Sequence, residues 1–303
     1  MLRTTHTSTV TEDQIDHLGH MNVRFYAVNA HAGTRAVLDG LPWGGRGHVV
    51  HDTYTRHHRE QLLGTDLEVR SAILSADQRG LRLHHELRAR ATDELAATFV
   101  HGISPLDGGG HRLPLPEDVA AAALAAVVPL PEHAAPRSIS LEADLLVHTP
   151  TLEVVRERGL AMRRERRVSA DECDDRGRYR VEMAPMLTWG GQQVEEDPAE
   201  ILHETADGVL MGWASMETRV QVGKMPTVGD RIQSFGAGVA IHDKVMHRVH
   251  WAFDVDTGEL LTAFESISMA FDIRGRRPMS IPDGYRQRML SQLQPDLAPQ
   301  SLL

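Results

Sequence analysis

The chain repeats itself, and this constrains its fold more than any other feature. Sliding the 303-residue sequence against itself by 165 positions lays ATDELAATFVHGISPLD (91–107) over DTGELLTAFESISMAFD (256–272). Thr92, Glu94, Leu95, Phe99 and Asp107 then meet Thr257, Glu259, Leu260, Phe264 and Asp272. That is five identities in the sixteen positions from Thr92 to Asp107, where unrelated sequences of average composition give about one. Upstream, Gly64, Leu67 and His85 fall over Gly229, Ile232 and His250. Near the head of each half the offset is 158, with VTEDQIDHLGH (10–20) over VSADECDDRGR (168–178). The difference, 165 − 158 = 7, calls for about seven extra residues in the second half, most easily placed in a loop between Gln192 and Asp207. Such a chain is two copies of one supersecondary plan.

Each copy reads in the same order: a short strand, a turn, one helix, then a run of longer strands. In the first, Phe25, Val28, Ala32 and Ala36 recur at helical spacing and predict an apolar face ending near Gly40, read as a C′ glycine. Strands are predicted at Val49–Glu60, Asp66–Leu74, Leu81–Ala91 and Ala96–Pro105. Their counterparts are Trp213–Gly223, Arg231–Ile241, Val245–Val255 and Leu261–Ile273. Many alternate apolar with polar, as antiparallel strands with one packed face do. An Ala-rich stretch followed by three prolines, 117–138, separates the copies. The expected organisation is residues 1–128, a Pro-rich linker 129–138, a second unit 139–290 and a tail 291–303.

A net charge of −10 without a long Lys/Arg-rich segment argues against nucleic acid as a partner. No run of eighteen apolar residues suggests a membrane span, and the opening MLRTTHTSTV lacks a signal-peptide core, so a cytoplasmic protein is expected. The single cysteine, Cys173, rules out an internal disulfide. The eighteen histidines include close pairs, but none has a recognised zinc spacing, and neighbours such as His84 and His85 point to opposite faces of a strand.

The segment Asp16 to Tyr26, DHLGHMNVRFY, stands just before the predicted helix. It resembles the 4-hydroxybenzoyl-CoA thioesterase branch of the hotdog superfamily, whose pattern is Asp-x-x-Gly-His-x-Asn-Asn-x-x-Tyr. Asp16, Gly19, His20, Asn22 and Tyr26 match, while Val23 stands where many members carry a second Asn. The resemblance implies an α+β fold of two tandem hotdog domains, each a long helix wrapped by an antiparallel sheet, paired as an intramolecular pseudo-dimer. It implies hydrolysis of an acyl-CoA or acyl-carrier thioester, without a cofactor, and allows a homo-oligomer of pseudo-dimers. The candidate site is Asp16, His20 and Asn22 for chemistry and Gly19, Met21 and Tyr26 for substrate binding, with no metal. By resemblance Asp16 is the nucleophile or the general base, and amides at the helix start hold the thioester oxygen.

The residues suit those roles on their own chemistry. Attack on a thioester carbonyl builds negative charge on oxygen, and unpaired N–H groups at a helix N-terminus are already aimed to stabilise it. Gly19 permits close approach of substrate to backbone, and Asn22 is a natural N-cap. His20 could orient Asp16, donate to the carbonyl or simply fill the turn. The competing reading of the whole segment is an ordinary turn, since Asp, Gly, His and Asn all favour one.

In the second copy Asp174 and Gly177 persist, but Arg178 and Arg180 replace His20 and Asn22, so that site reads as decayed. The intact site is expected to be completed by the second half, with Glu200, His203 and Glu204 as candidates. The basic run RRERR (163–167) suits either coenzyme A phosphates or a charged edge strand. The alternatives to a thioesterase are a non-catalytic acyl-CoA-binding protein, against which Asp16 counts, and a hotdog hydratase or dehydratase, whose Asp-x-Asn-x-x-His signature is missing.

Overall fold

The computed structural model describes residues 2–16, 18–107, 111–189, 202–205 and 207–299. The predicted insertion and Glu200 fall largely or wholly outside these. The chain forms two compact units: Met1–Ala135 with Val181–Met183, and Pro136–Arg180 with Ala184–Leu303.

The first unit runs β1 (Arg3–Thr9), α1 (Val23–Asp39), β2 (Gly47–His57), β3 (Asp66–Asp77), β4 (Gly80–Ala89), β5 (Leu95–Leu106) and α2 (Glu117–Leu124). Its strands pair antiparallel in the order β1-β3-β4-β5-β2. On β3 the buried Leu67, Val69 and Ser71 alternate with partly exposed Glu68 and Arg70, the pattern of a strand with one covered face. β5 is buried from Ala96 to Pro105, as a central strand covered on both sides must be. The helix and sheet together make a hotdog unit.

α1 lies on the sheet by a different face from the one predicted. Tyr26, Asn29, Ala30, His31, Gly33, Thr34 and Leu38 are buried, while Phe25, Val28, Ala32 and Ala36 are only half-buried. Closeness explains the choice. A Cβ on Gly33 would stand 2.7 Å from Val69 Cγ1 and 3.2 Å from Ser71 Oγ, so at position 33 only glycine fits between this helix and β3. Nor does Gly40 supply a left-handed C′ position: it is the C-cap itself, with φ −82° and ψ −6°.

Beneath the helix the small groups leave a polar layer. The Thr34 hydroxyl is 3.0 Å from His85 Nε2 and 2.9 Å from His101 Nδ1. Ser71 Oγ meets His85 Nδ1 at 2.6 Å, and the His31 and His101 rings lie 4.8 Å apart. Burial, with neighbouring positive charge, pushes His31 down to about 3. Burial likewise depresses His85 and His101 well below the usual histidine range. These rings stay neutral in the folded chain and take up protons only on unfolding. Their contribution to stability is complete above the ordinary value of 6.5 and is lost as pH falls below it. Each such histidine should give urea-unfolding stability a slope of about 1.4 kcal/mol per pH unit below about pH 6. The depressed carboxylates Glu86 and Glu172 act in the same direction, but only below the ordinary glutamate value of 4.5, so the interval above pH 5 isolates the histidines. His101→Gln should flatten the slope by one proton, and a parent slope of zero between pH 6.5 and 5 would contradict this account.

The second unit contains α3 (Leu152–Glu157), β6 (Arg166–Arg167), α4 (Ala184–Trp189), β7 (His203–Glu204), β8 (Leu210–Val222), β9 (Arg231–Ile241), β10 (Val245–Asp254), β11 (Leu260–Asp272), β12 (Arg277–Pro278) and α5 (Asp283–Leu290). Its sheet order is β8-β11-β10-β9-β6, with β12 on β11 and β7 on β8. Phe235, Val249, Trp251 and Phe253 fill its core with Leu152 and Val155. Leu297 joins that cluster, and the Gln294 amide donates to Gly238 O at 2.9 Å. Residues 291–299 are therefore docked on the unit and are not a free tail.

The segment that enters this unit has no strand partner, and side chains of β8 take over its backbone bonding. Glu217 accepts from the amides of Arg137, Ser138 and Ile139 at 3.1–3.3 Å. Arg219 Nη1 donates to Ala143 O at 2.7 Å, and Gln221 Oε1 accepts from the Leu145 amide at 2.7 Å. At a spacing of two, the three side chains share one face of the strand. On the other side of the boundary Arg56 donates to His133 O and Ala135 O. Residues 129–138 are thus fixed side-chain by side-chain.

Candidate active site

A tight turn presents Asp16. Ile15 and Met21 pair across its base. The Asp16 amide donates to His20 O at 2.9 Å, the Gly19 amide to Asp16 O at 3.0 Å, and the Asn22 amide to Gln14 O at 2.9 Å. Gly19 has φ +83°, the left-handed region that closes such a turn at little cost only for glycine. Asn22 caps α1, its Oδ1 accepting from the Arg24 amide at 3.1 Å. The turn therefore delivers Asp16 beside the N-terminus of α1, where first-turn N–H groups lack intrahelical acceptors.

Asp16 is 15% exposed, and its Oδ1 accepts from the Leu18 amide at 2.9 Å. Its Oδ2 lies 3.4 Å from His20 Nδ1. The same nitrogen is 3.4 Å from the Met21 carbonyl, and His20 Nε2 is 3.5 Å from Glu60 Oε1. His20 thus bridges two carboxylates.

Met21 and Tyr26, expected to touch substrate, lie in the core with 1% and 3% exposure. They pack with Val10, Leu67, Leu87 and Phe99. The Met21 amide donates to Gln61 O at 2.7 Å, and the Tyr26 hydroxyl donates to Arg59 O at 3.1 Å. Burial, with a smaller push from Asp16, raises the Tyr26 phenol above its usual range, so it stays a donor. Both residues hold the 59–61 segment against the turn. Glu60 and Gln61 were missed by the sequence reading, which saw only the end of a strand.

The second copy rebuilds the turn bond for bond. Cys173 pairs with Tyr179. The Asp174 amide donates to Arg178 O at 2.7 Å, Gly177 to Asp174 O at 3.0 Å, and Arg180 to Glu172 O at 3.0 Å. Tyr179 donates to Pro226 O where Met21 donates to Gln61 O, so the offset changes from 158 to 165 between Arg180 and Pro226. The chemistry differs. Arg178 Nη2 and Nε lie 3.1 and 3.3 Å from Asp174 Oδ2. Burial works to raise the Asp174 carboxyl, but amides of Arg178 and Arg176 and the Arg178 guanidinium outweigh it and hold it below the usual range. Where α1 runs seventeen residues, α4 spans six, with Pro185 in its first turn.

Of the groups proposed to complete the first site, His203 and Glu204 form the short strand β7 on β8, and the His203 ring packs 4.6 Å from Tyr285. The basic run borders the sheet edge: Arg166 and Arg167 pair with Ile232 and Arg231 of β9. Arg166 also binds Glu172 at 2.7 Å. Beside it a cavity of about 300 Å³ is lined by Arg163, Arg164, Glu165, Arg166, Leu187, Ile232 and Ser234. Among the described residues no helix is long and apolar enough to cross a membrane.

Residues 10–124 match the thioesterase-like superfamily. Among solved structures, a protein assigned as an oleoyl thioesterase from Lactobacillus plantarum aligns with a TM-score of 0.64 at 12% identity, covering 89% of this chain and 96% of the other. An acyl-ACP thioesterase from Bacteroides thetaiotaomicron aligns with a TM-score of 0.61 at 9% identity, covering 88% and 97%. The 12:0-ACP thioesterase from Umbellularia californica gives 0.60 at 12%, covering 89% and 94%. At such identities the likeness is one of fold. No curated protein sequence matches the chain.

Proposed function

We propose, from the match of residues 10–124 to the thioesterase-like superfamily, that the chain cleaves an acyl-CoA or acyl-carrier thioester at the turn headed by Asp16. The observation that carries this reading is the placement of a half-buried carboxylate, contacted by His20, at the N-terminus of α1. In one route Asp16 takes a proton from water as the oxygen attacks the carbonyl carbon, and the tetrahedral adduct collapses with cleavage of the C–S bond and departure of the thiolate. In the other its carboxylate attacks, the thiolate leaves, and water then hydrolyses the resulting anhydride. In both, the developing oxyanion is stabilised at the start of α1, where Asn22 takes the Arg24 and Phe25 amides and leaves that of Val23. In a single turnover in heavy-oxygen water, label in Asp16 marks the second route, with water attacking the Asp16 carboxyl carbon of the anhydride, whereas the first route sends all label into the released acid.

The test is release of free thiol, followed with a thiol reagent, from short, branched, aromatic and long acyl-CoAs and from an acyl-carrier protein. No release from any of them would remove the assignment.

One working site per chain follows from the engagement of Asp174 by Arg178. Asp174→Asn should leave the hydrolytic rate within about threefold of the parent, less than about 1 kcal/mol of transition-state stabilisation. A non-hydrolysable acyl-CoA analogue should titrate to one equivalent per chain. Two equivalent sites, or a large loss of rate in that variant, would show both turns to be active.

A further inference from the structure

Glu86 on β4 is 1% exposed, and three basic side chains converge on it. Arg88 Nε takes Oε2 at 2.7 Å. His84 Nε2 lies 3.4 Å and His133 Nε2 2.6 Å from Oε1. His84 and Glu86, two apart, share one face of the strand, whereas His85 joins the polar layer under α1. His133 arrives from the turn Glu132–Ala134, just before the second unit begins.

The other nitrogen of His84 decides what this cluster can do. His84 Nδ1 is 3.1 Å from the carbonyl oxygen of Phe99. A carbonyl only accepts, so Nδ1 carries the hydrogen. Nε2 is then the nitrogen left to face Glu86 Oε1, at 3.4 Å. A histidine whose outer nitrogen is tied to a backbone carbonyl is also the usual form of a metal-ligating imidazole.

We propose that His84 Nε2, Glu86 Oε1 and His133 Nε2 bind one divalent transition-metal ion, with zinc the best match to two imidazoles and a carboxylate. The three donor atoms lie within 4.8 Å of one another. Tetrahedral zinc with bonds of about 2.0–2.1 Å spaces its ligands about 3.3 Å apart. His84 and Glu86 already stand at 3.4 Å. His133, with a side chain 46% exposed and 2.6 Å from Oε1, is free to draw back by the roughly 0.7 Å required. Arg88 on Oε2 orients the carboxylate and leaves Oε1 to the ion. The ion clips the end of the first unit onto β4, reinforcing the bonds from Arg56 to His133 O and Ala135 O. The second copy has Val249 and Trp251 over His84 and Glu86, so it has no equivalent set and the stoichiometry is one per chain.

The full-length chain, stripped with a chelator, is titrated with zinc chloride against a chromophoric zinc indicator. One ion per chain should bind in competition with the indicator, and X-ray absorption should show two imidazole ligands. His133→Ala, an exposed change that leaves the circular dichroism spectrum unaltered, should weaken binding at least tenfold. Failure of zinc to compete would overturn the proposal. So would equal affinity in the His133→Ala variant, because the metal would then lie on other histidines.

Discussion

Asp16→Asn should reduce kcat/KM at least about a hundredfold, a loss of about 2.7 kcal/mol of transition-state stabilisation, while leaving the fold unchanged. The fold survives because the structural bonds of this residue are retained. Its backbone amide and carbonyl close the turn, and an asparagine Oδ1 still accepts from the Leu18 amide. What goes is the negative charge facing His20 Nδ1, and with it both the base and the nucleophile. Steady-state rates compared at matched circular dichroism spectra provide the check. A variant that hydrolyses near the parental rate would take Asp16 out of the chemistry.

Glu217→Ala should destabilise the chain by about 3 kcal/mol, read as a shift in the urea midpoint. Glu217 is 4% exposed, and its carboxylate serves three consecutive amides, 137–139. Ile139 is 2% exposed, so its N–H is left without water when the carboxylate is removed and bears most of the penalty. Arg137 and Ser138 are exposed and recover much of theirs from solvent. Glu217→Gln keeps one acceptor oxygen and should lose roughly half as much. A change below about 0.5 kcal/mol for the alanine variant, the range of ordinary surface substitutions, would mean that the segment is held by something else.

The strands were legible because a two-residue alternation survives in any sheet with one covered face. The repeat supplied a second, independent reading of the same strands, and Arg231–Ile241 was placed to the residue. The turn that carries Asp16 was legible too, since Asp16, Gly19 and Asn22 lie within seven residues and act through local bonds. The face of α1 was misread for a physical reason. Apolar periodicity marks the greasy side of a helix, but α1 lies so close to β3 that Gly33, Thr34 and Ala30 are required there, and the larger Phe25 and Val28 are displaced sideways. Partners far apart in sequence were out of reach. Glu60 approaches His20, and His133 approaches Glu86, only after the strands pair, and no spacing rule foretells a separation of 47 residues.

The turn at 15–22 and its twin at 173–180 share one consequence. Both are closed by main-chain atoms, with a glycine at the bend and an aspartate Oδ1 accepting from an amide two residues on. A loop built in this way is indifferent to its lettering: the positions of His20 and Asn22 can become arginine without a single closing bond being lost. Duplication therefore gave the molecule a spare frame whose shape is insured by the backbone. One frame can keep its reaction while the other drifts, acquires an internal ion pair, or takes up new residues, and the folding of the chain is blind to the difference.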